Sequence, residues 1–218
     1  LSWETTMAVH AFIFPGQGSQ APGMGRDLAA AFAAAREVFQ EVDDTLGEKL
    51  SALMFEGPAE TLTLTENAQP ALMAHSLAVL RVLEREGGFK LADRAVVVAG
   101  HSLGEYSALA AAGAFGIAQA ARLLKLRGQA MQKAVPPGAG SMAALLGCEM
   151  ALALEICAEA APAPGGGSEV IEAGNDNGGG QVVISGATAA VERAIVIAPT
   201  KGVRRAMKLP VSAPFHCA

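Results

Sequence analysis

The sequence predicts an α/β protein: a larger domain built on a parallel sheet, and a smaller inserted domain of the ferredoxin-like type. Three observations predict it. Short apolar runs alternate with segments of helical periodicity from His10 to Pro137. One of those runs, the apolar AVVVA of Ala95–Ala99, is too short for a helix and leads into a Gly-x-Ser-x-Gly turn. Beyond Pro137 the order becomes strand, helix, strand, strand, helix, strand, the split pattern of a ferredoxin-like unit.

Each element follows from local pattern. His10–Phe14 is an apolar run stopped by Pro15-Gly16, which reads as a buried strand entering a loop. Gly25–Leu46 sets Ala, Leu, Phe and Val at helical spacing with acidic residues between them. Pro70–Glu86 repeats that pattern and ends at Gly87-Gly88. Ala95–Ala99 reads as a central strand, buried on both faces. Helices follow over Leu103–Ala112 and Ile117–Ala134, the second closed by Pro136-Pro137-Gly138. In the second region the expected strands are Ser141–Gly147, Glu169–Ala173, Gln181–Ser185 and Val203–Leu209; Glu149–Ala161 and Thr188–Ala198 are the helices. The domain expectation is therefore a larger unit of residues 8–137 and 210–218, interrupted by an insert over 138–209. The chain would return to the larger unit at Pro210.

Composition excludes several functions. Of the 218 residues, 51% are hydrophobic, enough for a sizeable core, yet no apolar stretch is long enough to span a membrane. A net charge of −5 argues against general nucleic-acid binding. Cys148, Cys157 and Cys217 are odd in number and lack metal-ligand spacing, so they read as reduced thiols in the cytoplasm. LSWETT lacks the pattern of a signal peptide, and Met7 reads as a natural start after a six-residue extension.

The chemistry centres on Gly100-His101-Ser102-Leu103-Gly104. A strand before it and a helix after it are the context a nucleophile elbow requires. Glycines flank the serine because a side chain would crowd so tight a turn. The helix start offers free N–H groups and a partial positive charge, so the Leu103 N–H can face an oxyanion. An ordinary strand-to-helix turn with a serine cap has the same local pattern. A serine hydroxyl needs a base. Of His10, His75, His101 and His216, the first two sit within a strand start and a helix, and His101 is turned from the hydroxyl by its adjacency. His216, in the proline-shaped loop PVSAPFHC, is the expected base.

FIFPGQGSQ, GHSLGEYSALAAAG, KLRGQAMQ and LPVSAPFHCA occur in that order, with GPAE and NAQPAL between them. Together they resemble the malonyl-CoA:acyl carrier protein transacylase family, over nearly the whole chain from Phe12. The resemblance implies an α/β-hydrolase-like larger domain with a ferredoxin-like insert. It implies malonyl transfer from malonyl-CoA to the phosphopantetheine thiol of acyl carrier protein for fatty-acid synthesis, through a malonyl-serine, with no metal or other cofactor. It assigns Ser102 as nucleophile, His216 as base, the N–H groups of Gln17 and Leu103 as oxyanion site, and Arg127 as holder of the malonyl carboxylate. Phe215, beside the base, would narrow the acyl pocket. The resemblance also implies further elements beyond Ala218, including the residue whose backbone carbonyl orients the histidine.

Further expectations concern partners and alternatives. The basic segment KGVRRAMK, residues 201–208, would steer an acidic carrier protein, and the chain would be a cytoplasmic monomer binding neither nucleic acid nor membrane. Asn175 and Asn177 would shape a turn, and Cys217 is a weak second nucleophile. A serine hydrolase using the same elbow, a non-catalytic carrier-binding fragment and a polyketide-synthase acyltransferase module are the alternatives. A hydrolase would need an acid after Ser102 and no arginine in its acyl pocket.

Overall fold

The computed structural model describes residues 10–218 except Pro137, Pro210 and Ser212. Met7 and the expected return point at Pro210 lie outside the described residues. The chain forms two compact units, divided between Gln129 and Ala130.

The first unit holds strands β1 (His10–Phe14) and β2 (Ala95–Gly100) and helices α1 (Arg26–Ala31), α2 (Ala33–Leu46), α3 (Leu50–Glu56), α4 (Ala59–Thr63), α5 (Thr65–Glu86), α6 (Leu91–Arg94), α7 (Gly104–Ala111) and most of α8 (Ile117–Lys133). β1 and β2 pair in parallel, with Phe14 opposite Gly100. That register ends both strands at one level, so the PGQGSQ loop and the serine turn leave the sheet side by side. Ligand sites in parallel sheets form at such carboxyl ends. The His101 N–H donates to the Phe14 carbonyl (3.0 Å), extending the pairing into the turn.

The core of this unit is helical. Val38, Phe39 and Val42 of α2 pack with Leu72, Met73 and Leu77 of α5, joined by Leu103 and Leu124. Phe39 and Phe55 meet edge to face at 5.3 Å, an arrangement worth about 1 kcal/mol beyond burial.

Three sequence expectations are corrected here. The helix expected over Gly25–Leu46 breaks at Phe32, whose backbone is extended (φ −126°, ψ 126°); Arg36 Nη1 donates to the Ala29 carbonyl (2.7 Å) that the break exposes. α5 starts five residues before Pro70, because an early proline forfeits only one intrahelical bond. β1 and β2 were expected to be buried, yet Ile13 and Val96 are each 69% exposed. Among the described residues these two strands pair only with each other, so no neighbouring strand covers their outer edges. The sequence reading passed over α3, α4 and α6, none of which is long enough to repeat the helical period over three turns.

The second unit contains β3 (Gly140–Leu146), α9 (Met150–Ala160), β4 (Ile171–Asp176), β5 (Gln181–Ala187), α10 (Thr188–Thr200) and β6 (Arg205–Lys208). Its sheet runs β4-β5-β3-β6, and every neighbouring pair is antiparallel. Ala143, Leu145, Val182 and Ile184 share a core with Ile156 of α9 and Val191 and Ala194 of α10. The alternate residues Met142, Ala144 and Val183 pack instead with Ala213 and Phe215. That split is the period-two consequence of pleating: each strand feeds two apolar layers. Ala213 and Phe215 are both buried in this second layer, which Met131 and Val135 also join.

Candidate active site

Two glycines make the serine turn possible. A Cβ on Gly100 would lie 1.9 Å from the Gly104 carbonyl carbon, and one on Gly104 would lie 2.4 Å from the Phe14 carbonyl oxygen. Backbone meets backbone at both, so neither contact relaxes by rotating a side chain. Gly100→Ala is therefore expected to destabilise the protein by about 3 kcal/mol, read as a lowered urea midpoint. A midpoint unchanged from wild type would contradict the packing described.

Ser102 itself adopts the left-handed conformation, φ 53°. For a residue with a Cβ this costs roughly 1–2 kcal/mol. Among the described residues only Ser102 and His216 (φ 61°) have positive φ without being glycine. Strain of this kind concentrates at functional positions. The sharp turn buries Leu103 in the core, half-exposes Ser102, and sends His101 over Gly16, where a Cβ would meet its Nδ1 at 2.4 Å. Leu103 caps α7, and its N–H donates to no backbone carbonyl among the described residues; the same holds for the N–H of Gln17.

Arg127 reaches this turn from α8. Its Nη2 donates to Ser102 Oγ at 3.1 Å, and its Nη1 donates to Gln69 Oε1 at 2.7 Å. The guanidinium also lies 5.9 Å from the centre of the Tyr106 ring. Burial pushes the arginine below its ordinary pKa, and Tyr106 and Glu105 oppose that shift. A cation beside Ser102 Oγ favours the alkoxide over the alcohol. The sequence alone favoured a surface role for this arginine; only the resemblance marked it.

Sequence reasoning missed two residues next to this group. Gln69 and Thr65 are both fully buried on α5, and Thr65 Oγ1 accepts a bond from Gln17 Nε2 at 3.3 Å. Their signal was present in TENAQP: two polar residues four apart on a helix face otherwise turned to the core.

The second unit carries the other two candidates. Phe215 is 7% exposed within the layer formed by Met142, Ala144 and Val183. That packing fixes the loop in which His216 follows, itself exposed. The loop lies against Gly174, where a Cβ would be 3.0 Å from the His216 carbonyl oxygen. Cys217 Sγ accepts from Ser185 Oγ at 3.6 Å. Cys148 and Cys157 are buried thiols, and burial pushes Cys157 up to about 11, which leaves it protonated and unreactive near neutrality. His75 carries a buried Nδ1 with no hydrogen-bond partner among the described residues, and burial lowers its pKa. Such a histidine stays neutral as part of the packing. Among the described residues no group of three or more His, Cys, Asp or Glu is arranged to hold a metal ion, and no helix is long and apolar enough to cross a membrane.

This geometry can be set beside known proteins. The chain matches the acyl transferase domain family over residues 11–217. It is 47% identical over 212 residues to the malonyl CoA-acyl carrier protein transacylase of Escherichia coli (strain K12), covering 97% of this chain and 66% of that protein. The transacylase of Bacillus subtilis (strain 168) is also 47% identical, over 210 residues, with 63% of it covered. The crystal structure of an acyl-carrier-protein S-malonyltransferase from Bartonella henselae superposes with a TM-score of 0.89 at 57% identity, covering 96% of this chain and 65% of that one. A malonyl-transacylase solved in complex with its type II PKS acyl-carrier protein superposes with a TM-score of 0.89 at 45% identity, covering 97% and 65%. The chain thus spans just under two thirds of the length of these relatives. A strained serine between two glycines, in a sequence matched almost end to end, has one assignment: the chain belongs to the acyl transferase domain family.

Proposed function

We propose that this chain carries the acyl-transfer chemistry of a malonyl-CoA:acyl carrier protein transacylase. One observation carries the reading: a guanidinium nitrogen of Arg127 lies 3.1 Å from Ser102 Oγ. In a malonyl ester of Ser102, the free carboxylate lies two bonds beyond the ester carbon, within reach of such a cation. A guanidinium takes a carboxylate through two parallel N–H bonds and remains charged at working pH. The names of the relatives point to the same substrates.

In this mechanism His216 takes the Ser102 hydroxyl proton as the Oγ–carbon bond to the malonyl thioester forms. The resulting oxyanion accepts from the N–H groups of Gln17 and Leu103. The carbon–sulfur bond then breaks, and His216 returns the proton to the departing CoA thiol. The phosphopantetheine thiol of acyl carrier protein attacks the malonyl ester in turn, giving its proton to His216; the bond from the acyl carbon to Ser102 Oγ breaks, and His216 returns the proton to Oγ. Phe215, bulky and next to His216 in sequence, would narrow the acyl pocket. The reaction calls for no cofactor. The α/β-hydrolase-like and ferredoxin-like descriptions belong to this reading as well, supported by the parallel β1–β2 pair and the β4-β5-β3-β6 order. So do the division into residues 8–137 with 210–218 and 138–209, the cytoplasmic location and the monomeric state.

The test is intact mass after incubation with malonyl-CoA. Transfer predicts a stable malonyl adduct on Ser102 that a carrier-protein thiol discharges. Rapid loss to water supports a hydrolase instead, and absence of any adduct overturns both.

Carrier recognition draws on the KGVRRAMK segment. Lys201 pairs with Glu159 and Lys208 with Glu192, each at 2.9 Å, which leaves Arg204 and Arg205 as its exposed cations without an ion-pair partner among the described residues. Arg204→Glu with Arg205→Glu is expected to raise KM for the carrier about tenfold and leave self-malonylation unchanged. Unchanged carrier kinetics would remove these residues from the docking surface.

A further inference from the structure

α8 is fastened to the first turns of α5 at neighbouring points. Lys125 Nζ donates to Asn67 Oδ1 (3.1 Å) and pairs with Glu48 (2.6 Å). Arg127 Nη1 donates to Gln69 Oε1 (2.7 Å). Gly128 lies so close to α5 that a Cβ would approach Glu66 Cα to 2.6 Å and the Thr65 carbonyl oxygen to 2.7 Å. The same turn of α5 also reaches the PGQGSQ loop: Thr65 Oγ1 accepts from the side chain of Gln17. Thr65 and Gln69 are four residues apart, on one helix face, and both are fully buried.

We propose that Thr65 and Gln69 are positioning residues with separate duties: Gln69 sets acyl selectivity through Arg127, and Thr65 sets turnover through Gln17. This inference rests on the acyl-transfer reading above. The chemical type of each side chain carries it. Gln69 presents a neutral carbonyl oxygen, which orients the guanidinium while leaving its positive charge for a substrate carboxylate. A carboxylate at the same position would satisfy Arg127 internally and compete with the malonyl group. The guanidinium donates through Nη1 to Gln69 and through Nη2 to Ser102, so its plane is fixed by two anchors rather than one. Thr65 has no contact of this kind with Arg127. Its hydroxyl holds the Gln17 side chain, and with it the loop whose N–H faces the oxyanion.

The experiment measures acylation of the full chain with malonyl-CoA and with acetyl-CoA for wild type, Gln69→Glu, Gln69→Met and Thr65→Val. Gln69→Glu is expected to lower malonyl kcat/KM about 100-fold and to change acetyl kcat/KM less than about threefold. Gln69→Met removes the acceptor at nearly constant volume and is expected to raise KM for malonyl-CoA about tenfold, with kcat nearly unchanged. Thr65→Val is expected to lower kcat about tenfold for both acyl groups, with KM unchanged. Equal losses for both substrates in the Gln69 variants, or an unaltered malonyl-to-acetyl ratio, overturn the selectivity role. Loss of selectivity in Thr65→Val overturns the division of duties.

A readout independent of turnover separates this inference from the reading beneath it. The Nη1 bond slows rotation about the Arg127 Cζ–Nη1 bond, so its protons give resolved NMR signals in wild type. Those signals are lost in Gln69→Met if Gln69 positions the arginine, and their persistence overturns the proposal. A wild-type chain that forms no malonyl ester overturns the acyl-transfer reading alone, and the NMR comparison still decides the positioning of Arg127.

Discussion

Ser102→Ala is expected to end acylation altogether: after incubation with malonyl-CoA the intact mass stays that of the unmodified chain. The rate loss is expected to reach about 10⁴-fold or more, because removing a nucleophile leaves only binding and oxyanion stabilisation. The structure gives the serine three distinguishing features. It occupies a left-handed backbone conformation, φ 53°, that holds its hydroxyl out of the turn. Its Oγ has a cationic neighbour in Arg127. The N–H of Leu103, which donates to no backbone carbonyl among the described residues, follows it directly at the start of α7. Cys217, next to His216, is the competing nucleophile, and its Sγ already accepts from Ser185. A malonyl group retained on Cys217 in Ser102→Ala would reassign the nucleophile; peptide mapping of the adduct distinguishes the two sites.

Arg127→Met is expected to lower the rate of acylation by malonyl-CoA about 100- to 1000-fold. Two charge-assisted hydrogen bonds to a carboxylate, each worth roughly 1.5–2 kcal/mol, account for that range. Acetyl-CoA has no carboxylate, so its slow acylation is expected to persist or increase once the partly buried charge is gone. The ratio of the two rate constants therefore falls further than either alone. Arg127→Lys retains the charge but loses the planar fork, and its ratio is expected to lie between those of wild type and Arg127→Met. A ratio unchanged in Arg127→Met would return Arg127 to a structural role and with it remove the main support for a malonyl substrate.

The same residues mark the boundary between what the chain spells out locally and what folding adds. The two glycines around Ser102, the strand before it and the helix after it were legible because each depends on neighbours a few residues away. The break at Phe32 was not legible, since no proline or glycine signals it and its open carbonyl is met by Arg36, seven residues from Ala29. The exposure of Ile13 and Val96 was also hidden, because an apolar strand reads the same whether or not another strand lies beside it.

Sequence by itself determined the strand-turn-helix around Ser102, the alternation of strands and helices, and the order of elements along the second unit, all of which follow from short-range periodicity and steric limits on the backbone. Tertiary structure alone decided what surrounds the serine. Arg127 meets Gln69 across 58 positions, and Gln17 meets Thr65 across 48. No local pattern encodes such pairs. They arise because Gly128 lets α8 close on the first turn of α5, and because the Phe14–Gly100 register ends both strands at the same level.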